Sequence, residues 1–272
     1  MARSNVIPRF TVGLLHPAVV RLGTNDDNDN VNAIAFATVA TNPPTMRRAT
    51  AASHFAPHGL GKGIAFLKRR EAGFAAILKT AGEPRFPLRA PGFGTLLHII
   101  LEQQVSIDAA AAMYRRLQGL CAPLTPSAFL RLDDDTLRQC GFSRQKMGYA
   151  RSLAAGIEDG SVALDAVAAL PDDEAQAALV RLKGIGRWSA EVYMLFALGR
   201  PDIWPAQDLG LQLAVQRWRG LTERPRAEAL DALAEAWRPW RSVAACLLWQ
   251  SYLHALGRLA ADGGPRQPKS AK

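Results

Sequence analysis

The sequence predicts an all-α fold of about nine or ten helices. Three observations predict it. From residue 63 onward apolar residues recur at helical spacing, the connections are short and rich in turn residues, and β-branched alternation is scarce.

Taken in order, residues 1–60 read differently from the rest. They hold the run Asn25-Asp26-Asp27-Asn28-Asp29-Asn30, the pair Pro43-Pro44, and no sustained helical period. Short β-like runs such as 31–39 are too few to close a sheet. This segment is expected to be a disordered or loosely attached extension, with a small strand-rich cap as the alternative. Residues 63–260 form the expected folded domain. Phe66, Leu67, Phe74, Ile77 and Leu78 mark a first amphipathic helix, and Phe93, Leu96, Leu97, Ile100 and Leu101 a second, opened by Pro91-Gly92. Ser106 reads as the cap of a helix reaching about Leu117, with Asp108 in its first turn. Asp133 to Asp135 cap a short helix that Gly141 ends, and Ser143 caps another running to about Gly156. Pro171-Asp172-Asp173 opens a further helix, with proline in the first turn. The later helices span about 208–218, 225–236 and 239–256. Residues 261–272 read as a disordered basic tail.

Composition bounds the function. The 272 residues are 49% hydrophobic and 21% charged, enough for a sizeable core. Lys and Arg number 33 against 24 Asp and Glu, a net charge of +9 that favours an anionic partner, nucleic acid before a membrane surface. No apolar run approaches the roughly 18 residues of a membrane helix. Pro8, Arg9, His16 and Pro17 interrupt the N-terminal apolar stretch, and Asp26, Asp27 and Asp29 argue against a transit peptide. A cytoplasmic location is therefore expected, nucleoid-associated if the source is bacterial. Cys121, Cys140 and Cys246 have neither metal-ligand spacing nor an even count, so reduced, buried thiols are expected.

The sharpest local signal is Leu182-Lys183-Gly184-Ile185-Gly186-Arg187-Trp188-Ser189-Ala190, set between two helical periods. Glycine permits positive φ and close approach of another backbone. A helix starting near Arg187 would point free amides outward, a natural phosphate site, while Ile185 would turn inward and pin the turn. A dinucleotide fingerprint fails, because it needs a preceding strand and a third glycine where Ser189 stands. The two glycines alone leave a plain capped corner and a DNA-gripping hairpin open. The flanking Lys183 and Arg187 and the net charge favour DNA.

Asp208, in Trp204-Pro205-Ala206-Gln207-Asp208-Leu209-Gly210, follows Trp188 by twenty positions. It suits the cap of the next helix. A carboxylate fixed there can also stabilise a sugar cation or orient a water, as carboxylates do in glycoside hydrolysis. The two roles are compatible, because a cap sets the carboxylate's direction.

These residues carry a resemblance. The hairpin, the Asp208 segment, Ile100-Leu101-Glu102-Gln103-Gln104-Val105-Ser106 and Trp237-Arg238-Pro239-Trp240-Arg241-Ser242 stand in family order. Over about residues 63–260 the chain resembles the helix-hairpin-helix (HhH-GPD) DNA glycosylase superfamily, most of all its DNA-3-methyladenine glycosylase II branch. The resemblance implies a two-lobed helical fold and a monomer that acts on damaged double-stranded DNA, with no cofactor. It implies a backbone grip on DNA at Gly184, Ile185 and Gly186, through an alkali cation held by the carbonyls around Gly184 and Gly186, with Lys183 and Arg187 beside it.

It further implies that Asp208 is the catalytic acid. Trp188 stands where the lyase branch has its lysine, so hydrolysis of the N-glycosidic bond without strand cleavage is implied. Gln104 falls where a side chain fills the gap left by a flipped nucleotide, with Gln103 beside it; a solvated helix end is the plainer alternative. Trp188, Trp249, Tyr193 and Trp204 are candidate base-pocket walls, since aromatic faces attract cationic alkylated purines. Trp240 is a further candidate, against the plain reading of core aromatics. Arg238 or Arg241 would pair with a carboxylate or touch phosphate. Arg144, Lys146 and Arg151 would face DNA or solvent. The rival functions are a glycosylase for uracil or deaminated bases and a non-catalytic DNA-binding protein that keeps the hairpin.

Overall fold

The structure, a computed structural model, describes residues 57–84 and 88–258. Of the expected N-terminal extension, residues 1–56 lie outside the described ones, and 57–60 already belong to the first helix; the expected basic tail lies outside as well. The chain runs α1 (Pro57–Arg70), α2 (Ala72–Ala81), α3 (Phe93–Glu102), α4 (Ile107–Leu120), α5 (Pro126–Leu130), α6 (Asp134–Gln139), α7 (Arg144–Glu158), α8 (Leu164–Ala169), α9 (Asp172–Val180), α10 (Arg187–Phe196), α11 (Leu209–Arg219), α12 (Ala227–Ala234), a 3₁₀ turn (Glu235–Trp237) and α13 (Arg241–Ala255). No strand occurs among the described residues. The all-α expectation holds, with short α5 and α8 added.

Side-chain caps set several of the starts. Ser106 accepts the Ala109 amide at 3.2 Å, Asp133 that of Thr136 at 2.7 Å, and Ser143 that of Lys146 at 3.2 Å. Thr125 does the same for Ala128 at 3.2 Å, with Pro126 in the first turn of α5. Pro171 stands one residue outside α9, and the last helix begins at Arg241, two residues past Pro239.

The expected first amphipathic helix is two helices. Glu71 leaves helical geometry (φ −154°, ψ 117°) between α1 and α2. Its carboxylate accepts the Trp237 indole N–H at 3.2 Å and pairs with Arg219. The bend also seats Gly73 against Trp218, whose ring would stand 2.7 Å from any Cβ there.

The helices form two packed groups. In one, α3 packs on α4, α7 and α10, α5 and α6 on α7, and α9 on α8 and α10; in the other, α13 packs on α1, α2 and α11. One continuous core joins them, through Leu96, Leu97, Ile100, Tyr193, Phe196, Leu247 and Trp249. The chain crosses from α10 to α11 through residues 197–208, which places Asp208 at the junction of the groups.

That crossing is tied to α13. Ser242, fully buried, accepts the Ile203 amide at 2.9 Å and donates to the Arg200 carbonyl at 2.7 Å. Asp202 receives both candidate arginines, Arg238 at 2.6 Å and Arg241 at 2.9 Å, which settles their partner as a carboxylate. Replacing Ser242 with Ala strands a buried amide and a buried carbonyl. A loss of about 1–3 kcal/mol is expected in denaturant titration, and an unchanged midpoint would show the crossing to be held by other contacts.

Lys146 does not face outward. It is 8% exposed, and its ammonium donates to the Leu101 carbonyl at 2.7 Å, neutralising the negative end of α3; burial lowers its pKa. Arg151 turns to Asp134 and the Leu132 carbonyl, both within the protein. Cys121, Cys140 and Cys246 are all buried.

Candidate active site

The hairpin joins α9 to α10. The Leu182 amide closes on Leu179 and the Ile185 amide on Leu182, each at 3.0 Å. Gly184 sits at φ +84°, and a Cβ there would lie 2.2 Å from Cγ of Tyr149 on α7. Glycine is required at this position twice over, by the backbone angle and by the neighbouring ring. Ile185 is 3% exposed and turned into the core, as expected. Gly186 is different in kind. It has ordinary extended geometry (φ −89°, ψ −179°), starts α10 without a capping side chain, and has open space where a Cβ would stand. The first amides of α10 therefore open toward solvent at the positive end of that helix.

Gln103 and Gln104 end α3 beside this turn, and the structure gives them opposite duties. Gln103 Nε2 donates to the Gly184 carbonyl at 2.8 Å and to Ser189 Oγ at 2.9 Å, a strut between α3 and the hairpin. Gln104 is exposed and holds φ +55°, the one non-glycine residue with positive φ among those described. Of the two cations expected to flank a phosphate, Lys183 is exposed. Arg187 is instead held by Glu191 at 2.8 Å and Asp231 at 3.1 Å.

Around these residues lies an open groove of about 720 Å³, lined by Gln103, Gln104, Lys183, Gly184, Gly186 and Trp188 among others. Gln207 and Leu209, the two neighbours of Asp208, line it as well. Asp208 itself sits just beneath, 1% exposed.

Tight turns deliver it there. The Ala206 amide bonds the Trp204 carbonyl and the Asp208 amide the Pro205 carbonyl, both at 2.9 Å. The Asp208 carboxylate then receives three donors. Oδ1 accepts the Leu211 amide at 2.7 Å, which is the helix cap, and the Trp249 indole at 2.8 Å. Oδ2 accepts the Trp188 indole at 2.9 Å. Burial raises its pKa to about 6 from the ordinary value near 4, and the negative charge of Glu102 adds to the rise. The three hydrogen bonds oppose it by favouring the ionised form. The carboxylate is thus charged at neutral pH, though with little solvent around it.

The four aromatics expected around a base separate into three kinds. Trp188 is half-buried and lines the groove. Trp249 is buried behind Asp208, its ring stacked on Phe196 at 5.6 Å, and it does not line the groove, so the expected pocket wall is not formed there. Tyr193 and Trp204 are core residues, which corrects the expectation that they form pocket walls. The Tyr193 hydroxyl accepts the Gly92 amide at 2.9 Å, and the Trp204 indole donates to the Leu230 carbonyl at 3.1 Å. A buried tyrosine or tryptophan needs a partner for its polar end, and these two find it inside the fold. Trp240 packs against the same core, with the Cβ position of Gly63 2.9 Å from its ring. Sequence reasoning missed the Gln103 strut, the Tyr149 ring over Gly184 and both indole bonds to Asp208. All of them join residues far apart in the chain, so no local pattern announces them.

Residues 97–239 match the family described as HhH-GPD superfamily base excision DNA repair protein. The chain belongs to this superfamily. Among its HhH-GPD relatives, Alkylbase DNA glycosidase-like protein mag2 of Schizosaccharomyces pombe is 30% identical over 63% of this chain and 83% of its own length. Putative DNA-3-methyladenine glycosylase YfjP of Bacillus subtilis is 28% identical over 58% of each chain, so this chain spans a little over half of that relative. The solved structure of S. pombe 3-methyladenine DNA glycosylase (Mag1) in complex with abasic DNA superposes with a TM-score of 0.66 at 26% identity. The superposition covers 70% of this chain and 95% of that one.

Proposed function

We propose that this chain is a DNA glycosylase of base excision repair. Its reaction is hydrolysis of the N-glycosidic bond of alkylated bases, such as 3-methyladenine, in duplex DNA, without a lyase step. The observation that carries the reading is Asp208, a buried carboxylate aimed by three donors and lying beneath a groove that the hairpin lines. The names of the HhH-GPD relatives support the substrate class.

The α10 amides at Gly186, with Lys183 beside them, take a backbone phosphate without reading bases. Gln104 enters the stack from its strained tip while the damaged nucleotide rotates toward Asp208. The incoming sugar displaces the Trp188 indole from Oδ2, and its ring face then lies beside the cationic base. As the glycosidic bond breaks, both electrons leave with the base. Positive charge develops on the sugar, and the Asp208 carboxylate stabilises it in a site with little water. Water adds to the sugar carbon and loses a proton. An alkylated base already carries positive charge, so it departs without a strong general acid. Trp188 offers no amine for a covalent sugar adduct, which supports hydrolysis alone.

The test is release of free base from methylated duplex DNA. Free 3-methyladenine, with abasic strands left intact, is the expected result. Release only from uracil or hypoxanthine duplexes would replace the substrate class, and binding without any release would favour the non-catalytic alternative. Gln104→Ala is expected to lower single-turnover release about 10- to 100-fold, with weaker fluorescence from a 2-aminopurine placed next to the lesion, because the vacated stack is left empty. Unchanged fluorescence and rate would remove Gln104 from the flipping step.

A further inference from the structure

We infer that Trp249 is a positioning residue that acts through Asp208: its indole N–H and the Leu211 amide together anchor Oδ1, leaving Oδ2 as the oxygen presented to the sugar. The inference rests on the reading of Asp208 as the catalytic carboxylate.

The two indoles that meet Asp208 are equivalent in sequence terms, but their surroundings differ. Trp188 lines the groove and is only half-buried. Trp249 is 1% exposed and stacks on Phe196. Its helix is fixed at the next residue, where Gln250 Nε2 donates to the Ala81 carbonyl at 2.6 Å and the Glu83 carbonyl at 2.8 Å. An indole nitrogen is a donor only, and a buried one needs an acceptor. Asp208 Oδ1 fills that need at 2.8 Å, so neither group rotates without stranding the other. Oδ1 carries two fixed donors, whereas Oδ2 is met by the indole that faces the groove.

A donor to the ionised form also favours ionisation, so Trp249, with Trp188 and the Leu211 amide, opposes the rise that burial imposes on the carboxylate. The other groups facing Asp208 are few. Its own helix supplies the Leu211 amide, and α10 the Trp188 indole. From α3 comes the charge of Glu102, itself paired with Arg89 at 2.7 Å and 3.7 Å from His98. His98 is held by burial to a pKa of about 4 and is neutral across the assay range. Glu191 on α10 is raised to about 7 but bonds Arg187; it is common to all variants, so a difference between them does not come from it.

The experiment is single-turnover release of 3-methyladenine from methylated duplex DNA between pH 5 and 8.5, using the full chain as wild type, Trp249→Phe and Asp208→Asn. Trp249→Phe keeps most of the ring and removes the donor. Its rate at pH 7 is expected to fall about 10- to 100-fold, with the acid limb of the profile moved up by about one pH unit and DNA affinity within about twofold. A residue that merely fills the core lowers stability and leaves that limb where it was. A folded Trp249→Phe with the wild-type limb and rate overturns the inference. Should the Phe variant prove unfolded, Trp249→Gln, whose amide N–H is a neutral donor across the assay range, carries the test: a wild-type limb supports the donor role, and a limb moved up overturns it. Full activity in Asp208→Asn would instead overturn the reading of Asp208. Loss there together with an unchanged Trp249→Phe would overturn this inference alone.

Discussion

Asp208→Asn is expected to lower base release by roughly 10³-fold while leaving DNA affinity close to wild type. The amide has nearly the same shape, and its oxygen keeps the Leu211 cap and the Trp249 bond while its NH2 loses the bond from the groove-side Trp188 indole. It carries no charge, and the sugar cation loses its counter-charge in a site where water cannot substitute. Binding is expected to persist because the groove-lining residues, Lys183, Gly184 and Gly186 among them, do not include Asp208 itself. A variant that keeps more than a tenth of the wild-type rate would move the catalytic role elsewhere.

The same variant has a stability signature with a definite sign. The folded pKa of Asp208 is raised to about 6, above the value near 4 of an unfolded chain. Between those values the folded state holds more protons than the unfolded state, so this group's contribution to stability falls as pH rises through the window and is level above it. The full cost of keeping the carboxylate ionised is about 3 kcal/mol. From pH 4.5 to 7.5 the stability difference is therefore expected to move in favour of Asp208→Asn by about 2 kcal/mol. Urea titrations of both proteins at the two pH values measure it, and parallel curves would mean that the site is wetter than its burial suggests.

How much of this was legible in the sequence depends on the range of each interaction. Caps were readable because Ser106, Asp133, Ser143 and Asp208 each bond an amide three residues on, within a local pattern. The hairpin was readable because two glycines around one buried aliphatic residue are themselves the turn. The split at Glu71 was not readable: the apolar period runs on across it, and the bend is set by Trp237 and Arg219 from far along the chain. α8 was missed because six residues give no period to detect and, unlike the equally short α6, it has no capping side chain. In the candidate site, the residues that stand out in the sequence were legible but the contacts each makes were not. Gln103 and Gln104 are chemically identical neighbours, and only the fold turns one to the hairpin carbonyl and the other to solvent. Likewise Trp188 and Trp249 differ in burial, Tyr193 and Trp204 are core residues, and Arg187 is held by two carboxylates. Such pairings arise from packing between helices, which no single-sequence pattern encodes.

Gly184→Ala is expected to be the most destabilising single change in the hairpin. The residue holds φ +84°, which costs an L-residue about 1–2 kcal/mol. Its new methyl group would also lie 2.2 Å from Tyr149 Cγ, far inside contact distance. Relief requires the ring to move, yet Tyr149 is packed against the core and its hydroxyl accepts from Gln145 at 2.7 Å. The other route is a shift of the turn, which pulls the Gly184 carbonyl from Gln103 and loosens the strut to α3. Overpacking of this kind adds about 1–3 kcal/mol, for a total of about 2–5 kcal/mol in denaturant titration. Gly186→Ala is the matched control. Its backbone is one any residue adopts and its Cβ meets open space, so stability within about 0.5 kcal/mol of wild type is expected. On the proposed reading that the α10 amides take a DNA backbone there, the control is expected to bind duplex DNA about tenfold more weakly. One glycine is thus expected to serve the fold and the other the ligand. Equal stability losses in the two variants, or unaltered DNA binding in Gly186→Ala, would contradict that division.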